Sequence, residues 1–202
     1  MKSLRLVVGP LGENAYLVET PEGPVLIDPG DEAERIRKAA EEAGMLPKAI
    51  LLTHAHFDHL GAVGPLVEAW GIPVYLHPLD LPLYRLAPSL ARGFGLSIPS
   101  LPEVLPLEEG RSLYGFTVWH LPGHSPGHVA FLRAGEVYSG DLLFKGGVGR
   151  YDLPGADREA LWASLRRLLS LPPTTRVYPG HGPPTELALE ARTNPFLIEW
   201  EM

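Results

Sequence analysis

Thr53-His54-Ala55-His56-Phe57-Asp58-His59 places three imidazoles and one carboxylate within six residues, directly after an apolar stretch. Side chains of an extended segment alternate between two faces, so His54 and His56 point the same way. Asp58 and His59 follow where the chain turns. Neutral imidazole and carboxylate are the donors that zinc and iron select. The stretch therefore predicts a metal site with room for two neighbouring ions.

Length and composition predict one acidic globular domain. The chain has 202 residues, of which 45% are hydrophobic, and a net charge of -7. We expect residues 1–202 to form a single domain, because this length and apolar content can bury one core. The acidic balance, with no basic run longer than Arg166-Arg167, argues against nucleic acid as a partner. The sequence also lacks a membrane-length apolar stretch, so we expect no membrane association and a cytoplasmic protein.

The chain contains no cysteine. Disulfides, thiolate ligands and a cysteine nucleophile are therefore excluded. Catalysis would have to use another polar side chain or a metal ion.

Hydrophobic periodicity predicts two successive groups of strands and helices. The first group has strands at 4–8, 15–19, 25–28, 49–53 and 74–76, and helices at 33–43 and 61–70, with Asp31 as the first N-cap. Residues 79–102 are rich in proline and predict a loop with short helices, forming a lid or substrate wall. The second group has strands at 112–113, 116–120, 128–133, 136–139 and 176–178, and helices at 157–169 and 186–192. This order favours an α/β four-layer sandwich, two packed sheets with helices outside.

Further metal donors stand where predicted strands meet glycine-rich turns, which can swing side chains into a shared site. Pro122-Gly123 forms a tight turn before His124. Asp141 follows the strand that ends at 139, and His181 follows the last strand between two glycines. Each residue alone is a weak signal, but together and in this order they strongly indicate a metal centre.

The order His-x-His-x-Asp-His, then His, Asp and His, resembles that of the metallo-β-lactamase superfamily over residues 28–181. Within it, the chain looks most like the short bacterial type II glyoxalases, the hydroxyacylglutathione hydrolases. The resemblance implies an αββα sandwich of two mixed β-sheets, without the separate C-terminal glutathione-binding domain of longer enzymes. The likeness to the glyoxalases rests on Pro122-Gly123-His124-Ser125, Gly140-Asp141-Leu142-Leu143-Phe144, Gly149-Arg150 and Arg192-Thr193-Asn194-Pro195-Phe196.

The same resemblance implies a centre with two divalent ions per chain. Zinc is expected, and iron or manganese suit the same donors. Asp28 matches a family aspartate that orients ligands, and His128 stands close enough to His124 to hydrogen-bond near the site. The remaining histidines, His77 and His120, are expected to be structural. The implied donors are His54, His56 and His124 for one ion, Asp58, His59 and His181 for the second, and Asp141 bridging both.

Such a centre implies a hydrolase that attacks an activated acyl bond with a metal-bridging hydroxide. Asp58 would be the catalytic residue, orienting the hydroxide or taking its proton. The resemblance implies a small-molecule acyl thioester as substrate, including glutathione-derived ones such as S-lactoylglutathione. Arg150, Lys145 and Tyr151 are the expected substrate contacts.

Three alternatives remain open at this point. Gly149-Arg150 followed by Asp152 also resembles the persulfide dioxygenases, which share the fold but use a single iron. A lactonase would direct the same attack at a lactone carbonyl. A metal-binding protein without turnover is the alternative outside enzymology. The sequence leaves the oligomeric state open.

Overall fold

Six strands from the first half of the chain form one sheet in this computed structural model, which describes residues 1–201. The strands are β1 (Ser3–Val8), β2 (Glu13–Val18), β3 (Val25–Ile27), β4 (Ile50–Leu51), β5 (Val74–Leu76) and β6 (Leu105–Pro106). They lie side by side in chain order. The first three pair antiparallel, and β3 to β6 pair parallel. The carboxyl ends of the parallel strands therefore share one edge of the sheet.

Three helices cover one face of this sheet: α1 (Ala33–Ala43), α2 (Val63–Trp70) and α3 (Leu81–Gly93). Each contributes buried apolar side chains to a core under the sheet, among them Ile36, Leu66 and Tyr84. Gly44 ends α1 at φ 66, a left-handed conformation that glycine adopts without strain.

The second half of the chain forms a second mixed sheet. The strands of this half are β7 (Ser112–Leu113), β8 (Phe116–His120), β9 (Val129–Arg133), β10 (Glu136–Gly140), β11 (Leu143–Phe144), β12 (Gly147–Val148), β13 (Arg176–Pro179) and β14 (Thr185–Glu186), and six of them form this sheet. The sheet order is β14-β13-β10-β9-β8-β7, and β11 and β12 pair separately. Only β10 and β13 are parallel in this sheet as described, so their carboxyl ends also meet at one edge.

Helices again cover the outer face: α4 (Arg158–Leu168), α5 (Leu187–Thr193) and α6 (Pro195–Glu201). Asp157 caps α4, because its side chain accepts a hydrogen bond of 3.0 Å from the Ala160 N–H. Leu161 and Leu165 on α4 are fully buried against the strands. This face is the fourth layer of the molecule.

The inner faces of the two sheets pack on an aromatic core. Tyr16 and Ile27 from the first sheet meet Phe116, Phe131 and Tyr138 from the second, and all five are buried. A fully buried side chain of this kind contributes about 1.5–3 kcal/mol to stability. Two mixed sheets between helical layers confirm the predicted αββα sandwich.

Two local predictions were wrong. Asp31 is not the N-cap of α1; Glu32 holds that position, and the Asp31 side chain instead accepts the Glu32 N–H at 2.7 Å. Residues 79–102 are not mainly loop, because they include the thirteen-residue helix α3. This helix tolerates an internal Pro88 because it buries an apolar face that includes Tyr84. Its C-terminal extension, residues 96–98, borders a cleft beside Asp58.

Periodicity also missed the two-residue strands β6, β11, β12 and β14, and the helix α6. Strands of two residues and a helix of about two turns are too short for a hydrophobic period to be recognised. Among residues 1–201, no helix combines the length and apolar character that crossing a bilayer requires.

Candidate metal centre

Loops that follow four strands converge at one end of the sandwich. The segment 54–59 follows β4 and ends in a 3-10 turn, Phe57–His59. His124 lies in the connection between β8 and β9. Asp141 directly follows β10 and His181 follows β13, and the parallel pairing of these strands brings the two residues together. Residues far apart in the sequence thus form a common cluster.

The first donor group consists of His54, His56 and His124, whose ligand atoms all lie within 4.8 Å of one another. The ring centroids of His56 and His124 are 4.5 Å apart, and those of His54 and His124 are 4.9 Å apart. His54 is completely buried. Three imidazoles at this spacing are a suitable donor set for one transition-metal ion.

Hydrogen bonds engage the Nδ1 atoms of His54 and His124 and turn the Nε2 atoms of both rings toward the cluster. Thr53 donates its hydroxyl hydrogen to Asp28 at 2.5 Å, so its oxygen can only accept from His54 Nδ1, at 2.9 Å. His54 Nε2 then carries a lone pair, is buried, and finds no hydrogen-bond partner among residues 1–201. His124 likewise donates Nδ1–H to the carbonyl of Arg150 at 2.8 Å, and its Nε2 lies 2.9 Å from His56 Nδ1. An orphaned buried lone pair is what a bound cation would satisfy, so the residues fit a metal ion.

The second donor group consists of Asp58, His59, Asp141 and His181, whose ligand atoms also lie within 4.8 Å of one another. His59 Nδ1 is 2.9 Å from Asp28 Oδ2, which turns Nε2 toward Asp141 at 3.2 Å. His181 stands between the two carboxylates, 3.0 Å from Asp58 Oδ2 and 3.0 Å from Asp141 Oδ1. Mixed imidazole and carboxylate donors suit zinc, iron and manganese.

Asp141 lies between the two groups. Its Oδ2 is 3.5 Å from His124 Nε2 and 3.7 Å from His54 Nε2 of the first group, and 3.2 Å from His59 Nε2 of the second group. Its Oδ1 faces His181 of the second group. The family resemblance implies that Asp141 is the bridging ligand, and in the structure its carboxylate contacts donors of both groups.

The two groups differ in charge. Burial lowers the pKa of His54 well below its usual value and that of His56 to about 4, so both rings are neutral at pH 7. Burial also opposes protonation of His181, but hydrogen bonds with Asp141 and Asp58 outweigh it and raise its pKa to about 9. Both carboxylates thus belong to the second group, whereas the first group has imidazole donors alone.

Asp28 and His128 both contact metal-donor residues. Asp28 accepts hydrogen bonds from the Thr53 N–H at 2.8 Å and from the Thr53 hydroxyl, and it also faces His59. It adopts a left-handed backbone, φ 50, that points its carboxylate inward. His128 accepts the Asp141 N–H on Nε2 at 3.1 Å. Both residues thus contact donor residues or their neighbours, the kind of hydrogen bonding that orients ligating side chains.

The expected substrate contacts lie at the surface. The side chains of Lys145, Arg150 and Tyr151 are exposed. The Arg150 guanidinium forms a bidentate ion pair with the Asp152 carboxylate, with N···O distances of 2.9 and 3.0 Å. Only the backbone of Arg150 reaches the donor groups, through its carbonyl contact with His124.

His77 and His120 belong to neither donor group. Their rings stack on each other with centroids 4.2 Å apart and an interplanar angle of 11°. Burial, followed by the neighbouring His120, lowers the pKa of His77 to about 4. The stack packs between strand ends, in line with the structural role expected for both.

Two acidic residues near the centre were missed. Glu13 is 1% exposed, and neither carboxylate oxygen finds a hydrogen-bond partner within the described chain. Its Oε1 is 3.4 Å from His59 Nδ1, and burial raises its pKa well above the usual value. Asp80 is completely buried beside the first donor group. Neither residue lies in a motif, so only the tertiary structure could reveal them.

Removing metal from the protein is expected to lower its melting temperature by roughly 5–10 °C. An ion present at one hundred times its dissociation constant stabilises the folded state by about 2.7 kcal/mol, and each kcal/mol shifts melting by about 2–4 °C at this chain length. Thermal unfolding with and without a chelator, followed by reloading with Zn²⁺ or Fe²⁺, measures the shift. Identical melting temperatures in all three samples would contradict a metal centre here.

Comparison with known proteins places this geometry in context. The sequence pattern of the Metallo-beta-lactamase superfamily matches residues 8–181. The probable metallo-hydrolase YqgX of Bacillus subtilis (strain 168) is 42% identical, with 98% of each chain covered. The hydroxyacylglutathione hydrolase GloC of Haemophilus influenzae is 38% identical, with 92% of each chain covered.

A solved structure with two bound iron ions shares the fold. TTHA1623, crystallised in a di-iron-bound form, is 68% identical in sequence and superposes with a TM-score of 0.94. The match covers 96% of this chain and 100% of TTHA1623.

Proposed function

Since this chain belongs to the metallo-beta-lactamase superfamily and is a metal-dependent hydrolase of that superfamily, we propose that it hydrolyses acyl thioesters of small hydroxy acids. The observation that carries the proposal is the pair of donor groups joined at Asp141. The relative GloC, a hydroxyacylglutathione hydrolase, supports glutathione thioesters such as S-lactoylglutathione as the first substrates to test.

Asp58 is the residue we assign to proton transfer. Divalent ions held by the two groups would lower the pKa of water and polarise an acyl oxygen. The Asp58 side chain is 15% exposed, compared with 8% for Asp141, so it is the more accessible carboxylate of the second group. His181 holds Asp58 Oδ2 at 3.0 Å and thereby fixes its orientation. This accessibility and orientation support Asp58 as the residue that orients an attacking water and takes its proton.

A thioester suits a site without an additional acid. A thiol has an ordinary pKa of about 8.5, so a departing thiolate needs little protonation. Alkoxide and amine leaving groups would need a proton donor. Activity on thioesters is therefore expected to exceed activity on oxygen esters and amides.

Arg150, Lys145 and Tyr151 are proposed as contacts for the distal part of the substrate. The Arg150 backbone touches His124, so its side chain starts at the rim of the centre. A substrate carboxylate could take the place of Asp152 on the Arg150 guanidinium, since both offer the same two-oxygen geometry. This gives glutathione, which carries carboxylates, one candidate anchor.

Metal content and substrate are best measured together. We expect two metal ions per chain by elemental analysis, zinc or iron, with manganese as a further option, and hydrolysis of S-lactoylglutathione. The substrate panel includes a thioester without glutathione, a lactone and glutathione persulfide with oxygen monitoring. One iron per chain, oxygen consumption and no hydrolysis would replace this proposal with a persulfide dioxygenase. Preferred hydrolysis of the lactone would indicate a lactonase, and a fully loaded but inactive protein would remove the enzymatic assignment.

A further inference from the structure

Asp80 is a completely buried carboxylate to which the proposed reaction gives no role. It ends the 3-10 turn Pro78–Asp80, which directly follows β5. Its two oxygens accept three hydrogen bonds. Oδ2 accepts from the Ala55 N–H at 2.9 Å and from the Ser125 hydroxyl at 2.8 Å, and Oδ1 accepts from the Gly127 N–H at 2.6 Å. A single side chain therefore joins two separate loops.

These two loops carry the first donor group. Ala55 lies between His54 and His56, and Ser125 directly follows His124. Through the Ala55 N–H and the Ser125 hydroxyl, Asp80 thus holds a sequence neighbour of each metal donor in the first group. By contrast, the residues that donate hydrogen bonds to Asp80 lie outside the second metal-donor group, and none of them is a sequence neighbour of His181.

The packing leaves little freedom in this arrangement. A Cβ atom on Gly127 would lie 2.6 Å from the Asp80 nitrogen and 3.0 Å from the Asp80 Cβ. Residue 127 must therefore lack a side chain for the loop to come this close. Hydrogen bonds to an ionised acceptor are stronger than neutral ones, and a buried acceptor has no water to replace them. Both loops are held at a set distance from each other.

We propose that Asp80 is a positioning residue that fixes the His54 and His56 loop relative to His124 and thereby sets the affinity of the first metal ion. The inference rests on the dinuclear centre of the proposed function. It specifies that loss of Asp80 weakens the first ion selectively, because the donors of the second ion are held by Asp28 and by their own strand ends instead.

Asp80→Asn tests this with almost no change in volume. One terminal atom of asparagine is a hydrogen-bond donor, so the residue cannot accept all three hydrogen bonds. We expect the first ion to bind about 10–100-fold more weakly and the second ion to bind as in the unaltered protein. The measurement is titration of the metal-free protein with Zn²⁺ alone in competition with a chromophoric chelator. His56→Ala, which removes a donor of the first group only, identifies which of the two dissociation constants has changed.

Glu190→Gln is the matched control. Glu190 is also a buried carboxylate, 1% exposed, and it accepts from the Thr185 hydroxyl at 2.6 Å, the Asn194 side chain at 2.9 Å and the Gly146 N–H at 2.9 Å. It lies on α5, outside both donor groups. We expect Glu190→Gln to lower the melting temperature while both zinc affinities stay unchanged.

The outcomes separate positioning from general stability. Unchanged zinc affinities in folded Asp80→Asn, or equal losses for both ions, would overturn the proposal. If Asp80→Asn does not fold, Ser125→Ala removes one of the three hydrogen bonds and must show the same selectivity with a smaller loss. The test of Asp80 measures zinc binding and not hydrolysis. A protein that does not hydrolyse thioesters would still give zinc affinities that decide the role of Asp80, so the two proposals can fail independently.

Discussion

Asp141→Ala is expected to prevent stable binding of both metal ions and to lower hydrolysis by at least about 10³-fold. Asp141 is the residue that faces both donor groups, at 3.5 Å from His124 Nε2 and 3.0 Å from His181 Nδ1. Metal ions contribute several kcal/mol to such reactions, and each 1.4 kcal/mol is about a factor of ten in rate. Elemental analysis of the purified variant and a thioester assay measure the two effects.

His77→Ala is the control for this variant. His77 lies near the same end of the molecule but contacts His120 and the Leu79 N–H rather than a donor residue. Its metal content and rate are expected to stay near those of the unaltered protein. Equal losses in Asp141→Ala and His77→Ala would show that the donor assignment is incorrect.

Gly180→Ala is expected to lower hydrolysis by about 10²-fold although no donor residue is changed. A Cβ atom at this position would overlap Asp141 Oδ1 and approach His59 Cε1 to 2.9 Å. The methyl group must push the Asp141 carboxylate or the His181 loop aside, and displacements of about 1 Å near a reacting centre cost about this much in rate. The second metal ion should be lost preferentially. Zinc titration and the thioester assay measure both effects.

Gly182→Ala in the same loop supplies the comparison. Gly182 has φ +80, and no atom of the described residues would lie within 4 Å of its added Cβ. The change therefore introduces only left-handed backbone strain of about 1–2 kcal/mol, which lowers the melting temperature by a few degrees. We expect Gly182→Ala to retain its activity. If Gly180→Ala also retained full activity, the space around Asp141 would be larger than the structure indicates.

The sequence was informative where function depends on neighbouring residues in one short segment. His54 to His59 and the Pro-Gly turn before His124 carry their own signal, because strand ends and tight turns can be recognised locally. The αββα order followed from the succession of strands and helices for the same reason. The prediction failed over α3, where a buried face outweighs the local effect of Pro88.

Other parts of the centre could not be predicted because they depend on tertiary contacts. Asp80 is 25 residues from Ala55 and 47 from Gly127, and nothing in its own segment indicates that it joins their loops. Glu13 reads as one polar residue at the start of a strand, yet the fold encloses it beside His59. A single sequence therefore does not predict which distant residues contact a buried acidic side chain.

The two sheets supply the metal donors jointly, and this gives the centre a mechanical consequence. Each donor group combines residues that follow β4 with residues from the second sheet, so an ion in either group would link the two halves of the sandwich. A chain without cysteine has no disulfide to clamp its layers together. Bound ions would take the place of such a cross-link between the two sheets, and a chelator would remove this cross-link reversibly. Amide hydrogen exchange at the facing strands should then accelerate on chelation, even at sites distant from the donors.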